Sequence, residues 1–317
     1  MTDLPKTLGE QFADFPWQFA YQLAPQTYFK VGGPAEAYVE LSDEQQILQL
    51  VKFCRENNVP LTILGGGSNI IVSDQGIQGV VLKLTNDEFE LVDDNTVRVG
   101  AGLKTALLVR KAVDAGLTGL EFFLGVPGNV GGAVYNNAHY LEDLMGEHIS
   151  RVKIIDEQGR VSWLTNEECR FGYDRSRFQQ TKEVILQVEF SLQKGSLEES
   201  QEKIRQATVY RAETQPLGVP SSGCIFQNTP NTPELKERFP QFADREFVPG
   251  GFLIDQAGLK GAREGDIVVS DKHAAFFVNT GQGKAADIQK LINHVKSTVE
   301  EKFGVKLKEE VFWLGQR

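Results

Sequence analysis

Cysteine is scarce: Cys54, Cys169 and Cys224 are the three in 317 residues. So few, so scattered, exclude a disulfide framework, and no pair has a metal-ligand spacing such as C-x-x-C. Each reads by default as a small buried hydrophobe, and the usage fits a reducing compartment. Histidine is nearly as rare: His139, His148, His273 and His294 show no metal spacing, so no metal is expected. Basic residues are outnumbered, 33 against 43, for a formal net charge of −10. A nucleic-acid partner needs a basic surface to neutralise phosphates, and the balance argues against one. No run approaches the ~18–20 apolar residues that cross a bilayer. The opening MTDLPKTLGEQFADFPWQF is acidic and broken by prolines, unlike a signal peptide. A cytoplasmic protein without a membrane partner is expected. There is no repeat of fixed period and no low-complexity tract.

What is present is an ordinary globular composition, 41% hydrophobic and 24% charged, which excludes a disordered chain. The length suggests two or three domains, at roughly 100–200 residues each. Residues 36–41 alternate like a strand, and Ile47, Leu50, Val51 and Cys54 have helical spacing. Leu61 to Leu64, Ile70 to Val72 and Val80 to Leu84 read as strands, the last two around a turn at Asp74–Gly79. Thr105 to Ala115 reads as a helix closed by Gly116. Residues 150–165 read as a hairpin turning at Asp156–Gly159, and Val184 to Leu192 as a strand. Residues 196–212 form a charged helical connector. Ala285 to Phe303 is a helix ending at Gly304, and Glu310 to Leu314 a last strand. Strands and helices mix without regular βαβ alternation, so the fold class is α+β.

Glycine is abundant, 31 residues, and two loops concentrate it. Gly65-Gly66-Gly67-Ser68-Asn69 follows a strand directly. Gly125-Val126-Pro127-Gly128-Asn129-Val130-Gly131-Gly132-Ala133 lies further on. Neither is G-x-G-x-x-G nor G-x-x-x-x-G-K-[ST], so the Rossmann and P-loop readings fail on spacing. Glycines still let successive backbone N–H groups point at one anion, and a diphosphate needs several such donors. One loop alone reads as a turn; two within seventy residues favour ligand binding.

An ordered set of motifs resembles the UDP-N-acetylenolpyruvoylglucosamine reductase family, also called UDP-N-acetylmuramate dehydrogenase, of the type II kind. The set runs TYFKVGGPA at 27–35, LGGGSN at 64–69, GVPGNVGGA at 125–133 with Asn137, FGYDRSRF at 171–178, QPLGVPSSGCIFQN at 215–228, GLKGAREGDIVVSDKHAAFFVN at 258–279, and Leu307 to Gly315 with Glu310. The resemblance implies an FAD-binding region of the vanillyl-alcohol-oxidase type in two parts, 1–86 and 87–200. A substrate domain, 201–304, closes over a UDP-sugar, and a strand in 305–317 returns to the first part. It implies that NADPH reduces FAD and that flavin N5 then gives hydride to UDP-N-acetylglucosamine enolpyruvate, yielding UDP-N-acetylmuramate. The cofactor loops are then Gly65, Gly66, Gly67, Ser68 and Asn69, with Gly125, Pro127, Gly128, Asn129, Gly131 and Gly132. A monomer is expected.

That chemistry needs a held cofactor, stabilisation of a developing carboxylate charge and one proton donor. The family's donor is often serine in G-S-x-F-x-N; here Cys224 takes that position. A cysteine thiol has an ordinary pKa of about 8.5, far below a serine hydroxyl's, so the replacement suits a donor. Taken alone, Cys224 reads as an inert buried thiol. Glu310 matches the family's C-terminal catalytic glutamate, with Glu309 beside it as an exposed strand-end carboxylate facing the other way. The family's Tyr-Arg-x-Ser-x-Phe is altered to Tyr173-Asp174-Arg175-Ser176-Arg177-Phe178, with a carboxylate at the arginine position. Either Arg175 or Arg177 supplies the charge; Arg175 is the choice, and Arg177 reads as a surface residue. Tyr173, Asn228 and Lys272 match substrate-contacting positions. The family's glycine-containing N-A-G-A-Y is shortened to Asn137-Ala138-His139-Tyr140. Two other readings stand beside this one: a flavoenzyme of the same scaffold with another substrate, and a non-catalytic flavin or nucleotide-sugar binding module.

Overall fold

The computed structural model describes residues 3–140 and 143–316, folded as two compact units. The first is drawn from Met1–Tyr21, Ala35–Gly66 and Gln78–Arg211. One of its sheets has the strand order Gln18–Gln22, Pro34–Leu41, Ile77–Leu84, Leu61–Leu64. The last two strands run parallel, Leu61 opposite Val80 and Leu64 opposite Lys83. Helix Glu44–Glu56 buries Ile47, Leu50, Val51 and Cys54, the stripe its spacing predicts. Its N-cap Asp43 accepts from the Gln46 N–H at 2.9 Å.

The second sheet of this unit is antiparallel, in the order Val161–Thr165, Ile149–Ile155, Val184–Ser191, Thr96–Gly100, Phe89–Leu91. Its first hairpin turns as expected, with Asp156 Oδ1 accepting from the N–H groups of Gln158 and Arg160 at 3.0 and 2.8 Å. Helix Thr105–Asp114 buries Leu108, Val109, Ala112 and Val113. One continuous apolar cluster runs through the unit from Leu8 to Leu192. Glu189 is almost wholly buried among it and takes hydrogen bonds from Arg98 (2.8 Å) and Arg151 (3.0 Å). Burial pushes its pKa up, but those bonds outweigh it and hold the carboxylate below its ordinary value.

The second unit is drawn from Gln22–Pro34, Gly67–Ile77 and Ala212–Arg317. Its longest helix, Ala285–Phe303, buries Ala285, Ile288, Leu291, Ile292, Val295 and Val299 and stops at Gly304, whose φ of +68° favours glycine. The Asp74 carboxylate accepts from the first helical N–H groups, Ala285 at 2.9 Å and Ala286 at 3.0 Å. Helix and short sheet Arg263–Glu264, Ile267–Val269, Phe277–Asn279 share a core with Phe29, Val31 and Ile71. Ile70–Val72 pairs in parallel with the terminal strand Phe312–Leu314. Ile70–Val72 and Ile77–Leu84 are strands around a turn, but the second begins at Ile77, inside the expected turn and ahead of the expected Val80, and the two enter different sheets. The terminal strand starts at Phe312, not Glu310, because the backbone of Glu309 and Glu310 is engaged by Phe226 and Ile225.

Candidate active site

Within the second unit, three motifs far apart in sequence meet. The Glu310 N–H donates to the Ile225 carbonyl at 2.8 Å, and the Gln227 N–H to that of Lys308 at 2.9 Å. Asn69 Nδ2 donates to the Glu310 carbonyl at 3.3 Å. The Phe312 N–H donates to the Asn69 carbonyl at 3.1 Å. Ser222 Oγ donates to the Ile70 carbonyl at 3.2 Å. On its other side the Cys224 segment bridges Phe276, and the Ile225 N–H donates to the Ala275 carbonyl at 2.9 Å. So Gly67–Asn69, Cys224 and Glu310 are neighbours: a half-buried thiol and a half-buried carboxylate on adjacent extended chains. The Tyr28 N–H donates to the Gly67 carbonyl at 2.9 Å and brings in the TYFKVGGPA motif.

Glu309 departs from its expected exposure. Its carboxylate is 12% exposed, paired with Lys296 Nζ at 2.6 Å and bonded by Trp313 Nε1 at 2.9 Å. A carboxylate so committed is a structural anchor. Asn228 Oδ1 accepts from the Gly250 N–H at 3.4 Å, at the start of helix Gly250–Gln256. The Lys272 ammonium donates to the Ala212 carbonyl, near the end of helix Leu197–Thr214. His273 lies one residue on; burial lowers its pKa, and Nδ1 accepts from the Ala275 N–H at 3.3 Å, so the proton sits on Nε2.

Within the first unit, the two glycine loops abut. A Cβ on Gly66 would stand 2.3 Å from Gly128 Cα, and one on Gly65 2.9 Å from Asn129 Oδ1. Among the described residues, the N–H groups of Gly65, Gly66, Gly128 and Asn129 make no hydrogen bond. In the second loop the donors that follow are spent: Val130 on the Leu103 carbonyl, Gly131 on that of Ala101, both at 2.8 Å, and Gly132 on Asn129 Oδ1 at 3.0 Å. Gly131 and Gly132 therefore serve the loop by close packing, not by offering N–H groups. Gly125 and Pro127 are exposed, and Arg211 Nη1 holds the Gly125 carbonyl at 2.7 Å. Nothing in the sequence marks Arg211; it lies in a helix that reads only as a connector.

The two arginines of this motif differ in what they touch. Arg177 is bound to the buried carboxylate of Glu183 by two hydrogen bonds, 2.9 and 2.7 Å, and to the Glu168 carbonyl at 3.3 Å. Arg175 is exposed, as is Tyr173. Gly172 and Arg175 exchange main-chain bonds of 2.9 and 3.0 Å, with Tyr173 and Asp174 as the tip.

Residues 35–165 match the family described as FAD binding domain. Residues 215–314 match UDP-N-acetylenolpyruvoylglucosamine reductase, C-terminal domain. The chain is 36% identical over 297 residues to the UDP-N-acetylenolpyruvoylglucosamine reductase of Halalkalibacterium halodurans, covering 93% of each. It is 38% identical over 290 residues to that of Staphylococcus aureus (strain COL), covering 92% of this chain and 89% of the other. The chain belongs to the UDP-N-acetylenolpyruvoylglucosamine reductase family. The fold agrees: the crystal structure of UDP-N-acetylenolpyruvylglucosamine reductase from Thermus caldophilus superposes with a TM-score of 0.77 at 30% identity, covering 95% of this chain and 99% of that one.

As a member of this reductase family, the chain is an FAD-dependent oxidoreductase of peptidoglycan precursor synthesis, with the expected α+β fold. Its own residues fit the cofactor. Four unspent N–H groups on two abutting glycine loops suit a phosphate-bearing ligand, and glycine at position 66 is what lets the two loops come together. Among the described residues no group of three or more acidic, histidine or cysteine side chains could hold a metal, and no helix is long and apolar enough to cross a membrane.

Proposed function

We propose that this chain reduces UDP-N-acetylglucosamine enolpyruvate to UDP-N-acetylmuramate at the expense of NADPH. Bound FAD supplies the hydride transfer that no side chain can perform. To holding it we assign Gly65, Gly66, Gly67, Ser68, Asn69, Gly125, Pro127, Gly128, Asn129, Gly131 and Gly132. Tyr173, Asn228 and Lys272 are assigned to the substrate, Lys272 as a phosphate partner once it leaves the Ala212 carbonyl. Flavin holding is assigned to 1–86 and 87–200, with 305–317 returning to the first, and substrate closure to 201–304. The setting we assign is a cytoplasmic monomer.

Cys224 gives the proton to the carbon next to the one reduced, and its thiol must therefore be in the protonated form beforehand. Glu310 acts on the carboxylate side, where charge develops, as a protonated or polarising acid. Arg175 supplies positive charge there. The observation that carries this reading is the hydrogen bond from the Glu310 N–H to the Ile225 carbonyl, which seats the acid beside the thiol-bearing segment and next to the glycine loop at Asn69. Mere binding of a nucleotide needs neither group.

The test is an anaerobic visible spectrum of the purified holoenzyme. Added NADPH should bleach the flavin, and added UDP-N-acetylglucosamine enolpyruvate should restore it. Bleaching without recovery would assign another oxidant; a protein that takes up no FAD would be a binding module.

A further inference from the structure

The hairpin that carries Arg175 is fastened to one short helix and the chain just beyond it. Helix Val130–Asn136 begins at its N-cap Asn129, inside the second glycine loop. At its far end the Tyr135 carbonyl accepts from Ser176 Oγ (2.6 Å) and Gln179 Nε2 (3.2 Å). Asn137, fully buried and left-handed at φ +47°, donates from Nδ2 to the Gly172 carbonyl at 2.7 Å. Two residues on, His139 Nδ1 lies 3.1 Å from Asp174 Oδ1, and its ring centre 4.8 Å from that of Tyr173.

Asp174 is an unusual tip residue. It sits at φ +48°, and its carboxylate is 1% exposed. A carboxylate so deep needs a compensating partner, and the left-handed backbone persists only where surroundings hold it. The imidazole of His139 is the basic group set against it, Nδ1 to Oδ1 at 3.1 Å, a contact of charge and packing and not a hydrogen bond. Meanwhile the Arg175 guanidinium lies over the hairpin base: a Cβ on Gly172 would be 3.4 Å from its Nε and Nη2.

We propose that His139 and Asp174 form one positioning pair, which fixes the hairpin tip and so the direction of the Arg175 guanidinium. The pair compensates, at the level of backbone placement, for the arginine displaced by one residue. This inference rests on the role assigned to Arg175 above. His139 acts through Arg175 and touches no reacting atom.

The test is a double-mutant cycle on single-turnover, anaerobic reoxidation of the NADPH-reduced holoenzyme by UDP-N-acetylglucosamine enolpyruvate. His139→Phe should slow reoxidation by up to about 100-fold, the scale of an ångström-sized misplacement, with flavin reduction by NADPH unchanged. His139→Gln, which keeps a polar group against the carboxylate, should recover most of that loss. In an Arg175→Ala background His139→Phe should cost nothing more, because its effect travels through the missing guanidinium. Equal losses in both backgrounds, no loss in either, or an equal slowing of the NADPH step would each overturn the proposal. If His139→Phe fails to hold FAD, the same cycle with Asp174→Asn decides by the same criteria. A wild-type enzyme that the enolpyruvyl sugar does not reoxidise would sink the functional reading itself; a reoxidised wild type with an additive cycle sinks the pair alone.

Discussion

Gly66 and Gly128 touch backbone to backbone, so closely that a Cβ on the first would stand 2.3 Å from Cα of the second. No rotamer relieves that clash, since a Cβ has no torsion of its own. Gly66→Ala is expected to destabilise the protein by about 1–3 kcal/mol, as overpacking does, and to lower its FAD content. Thermal melting and the flavin-to-protein absorbance ratio check both. A variant that melts normally and keeps its flavin would show that the loops part freely.

Thiol chemistry should single out Cys224. Burial pushes the Cys54 and Cys169 thiols up to about 12, and both side chains are enclosed, whereas Cys224 is half-buried. Iodoacetamide at mildly alkaline pH should label Cys224 first and block sugar reduction. Cys224→Ala should lose about 10²–10⁴-fold in flavin reoxidation and keep NADPH-driven bleaching; Cys224→Ser should retain much of the rate. Peptide mapping of the label and stopped-flow absorbance supply the readouts. Normal reoxidation in the Ala variant would remove Cys224 from the donor role.

The two arginines should separate cleanly. Arg175→Ala is expected to lower turnover with little change in stability. Arg177→Ala should do the reverse, costing about 2–3 kcal/mol because the buried Glu183 carboxylate loses its two-point partner. Denaturant melts beside steady-state kinetics would expose the opposite pattern.

Glu121 makes stability depend on acid. It is 2% exposed, and burial raises its pKa, but bonds from the Thr118 and Ser200 hydroxyls and the Gly119 N–H outweigh burial and lower it. A carboxyl with a depressed folded pKa stabilises fully above its ordinary value of 4.5 and loses that contribution as pH falls toward the folded value. Glu121→Gln should therefore flatten the fall in stability below that pH. An unchanged slope in urea melts across the acid range would assign the dependence elsewhere.

Asp74 caps a helix that begins more than two hundred residues later. Asp74→Ala leaves the Ala285 and Ala286 N–H groups without that acceptor, and should cost about 1 kcal/mol. Asp74→Asn should cost less, since the amide oxygen still accepts. Equal melting temperatures for all three proteins would count against the cap.

Local signals carried much of this fold. The helical spacing in 47–54 and 285–303, the stop at Gly304 and the turn at Asp156–Gly159 each depend on neighbours in sequence, and each formed as read. Pairing did not. Nothing local tells Ile70–Val72 to seek Phe312–Leu314 rather than the strand that follows its own turn. Glu309 looked exposed because Lys296 and Trp313 are invisible from its neighbours, and Asp174 looked out of place because His139 lies 35 positions away. The glycine loops were legible as two dense clusters, but which N–H groups remain unspent in the second is decided by the carbonyls of Ala101 and Leu103.

The patchwork make-up of the second unit has a consequence for biosynthesis. Phe29, Val31 and Ile71 leave the ribosome early, yet the core that covers them comes from residues beyond 212. At roughly 5–20 residues per second, those apolar side chains wait several seconds or longer for their cover. During that interval the nascent chain carries an adhesive surface that the finished enzyme never shows. Slowing translation in the last third of the message should raise aggregation, and a chaperone that shields 22–34 and 67–77 should suppress it.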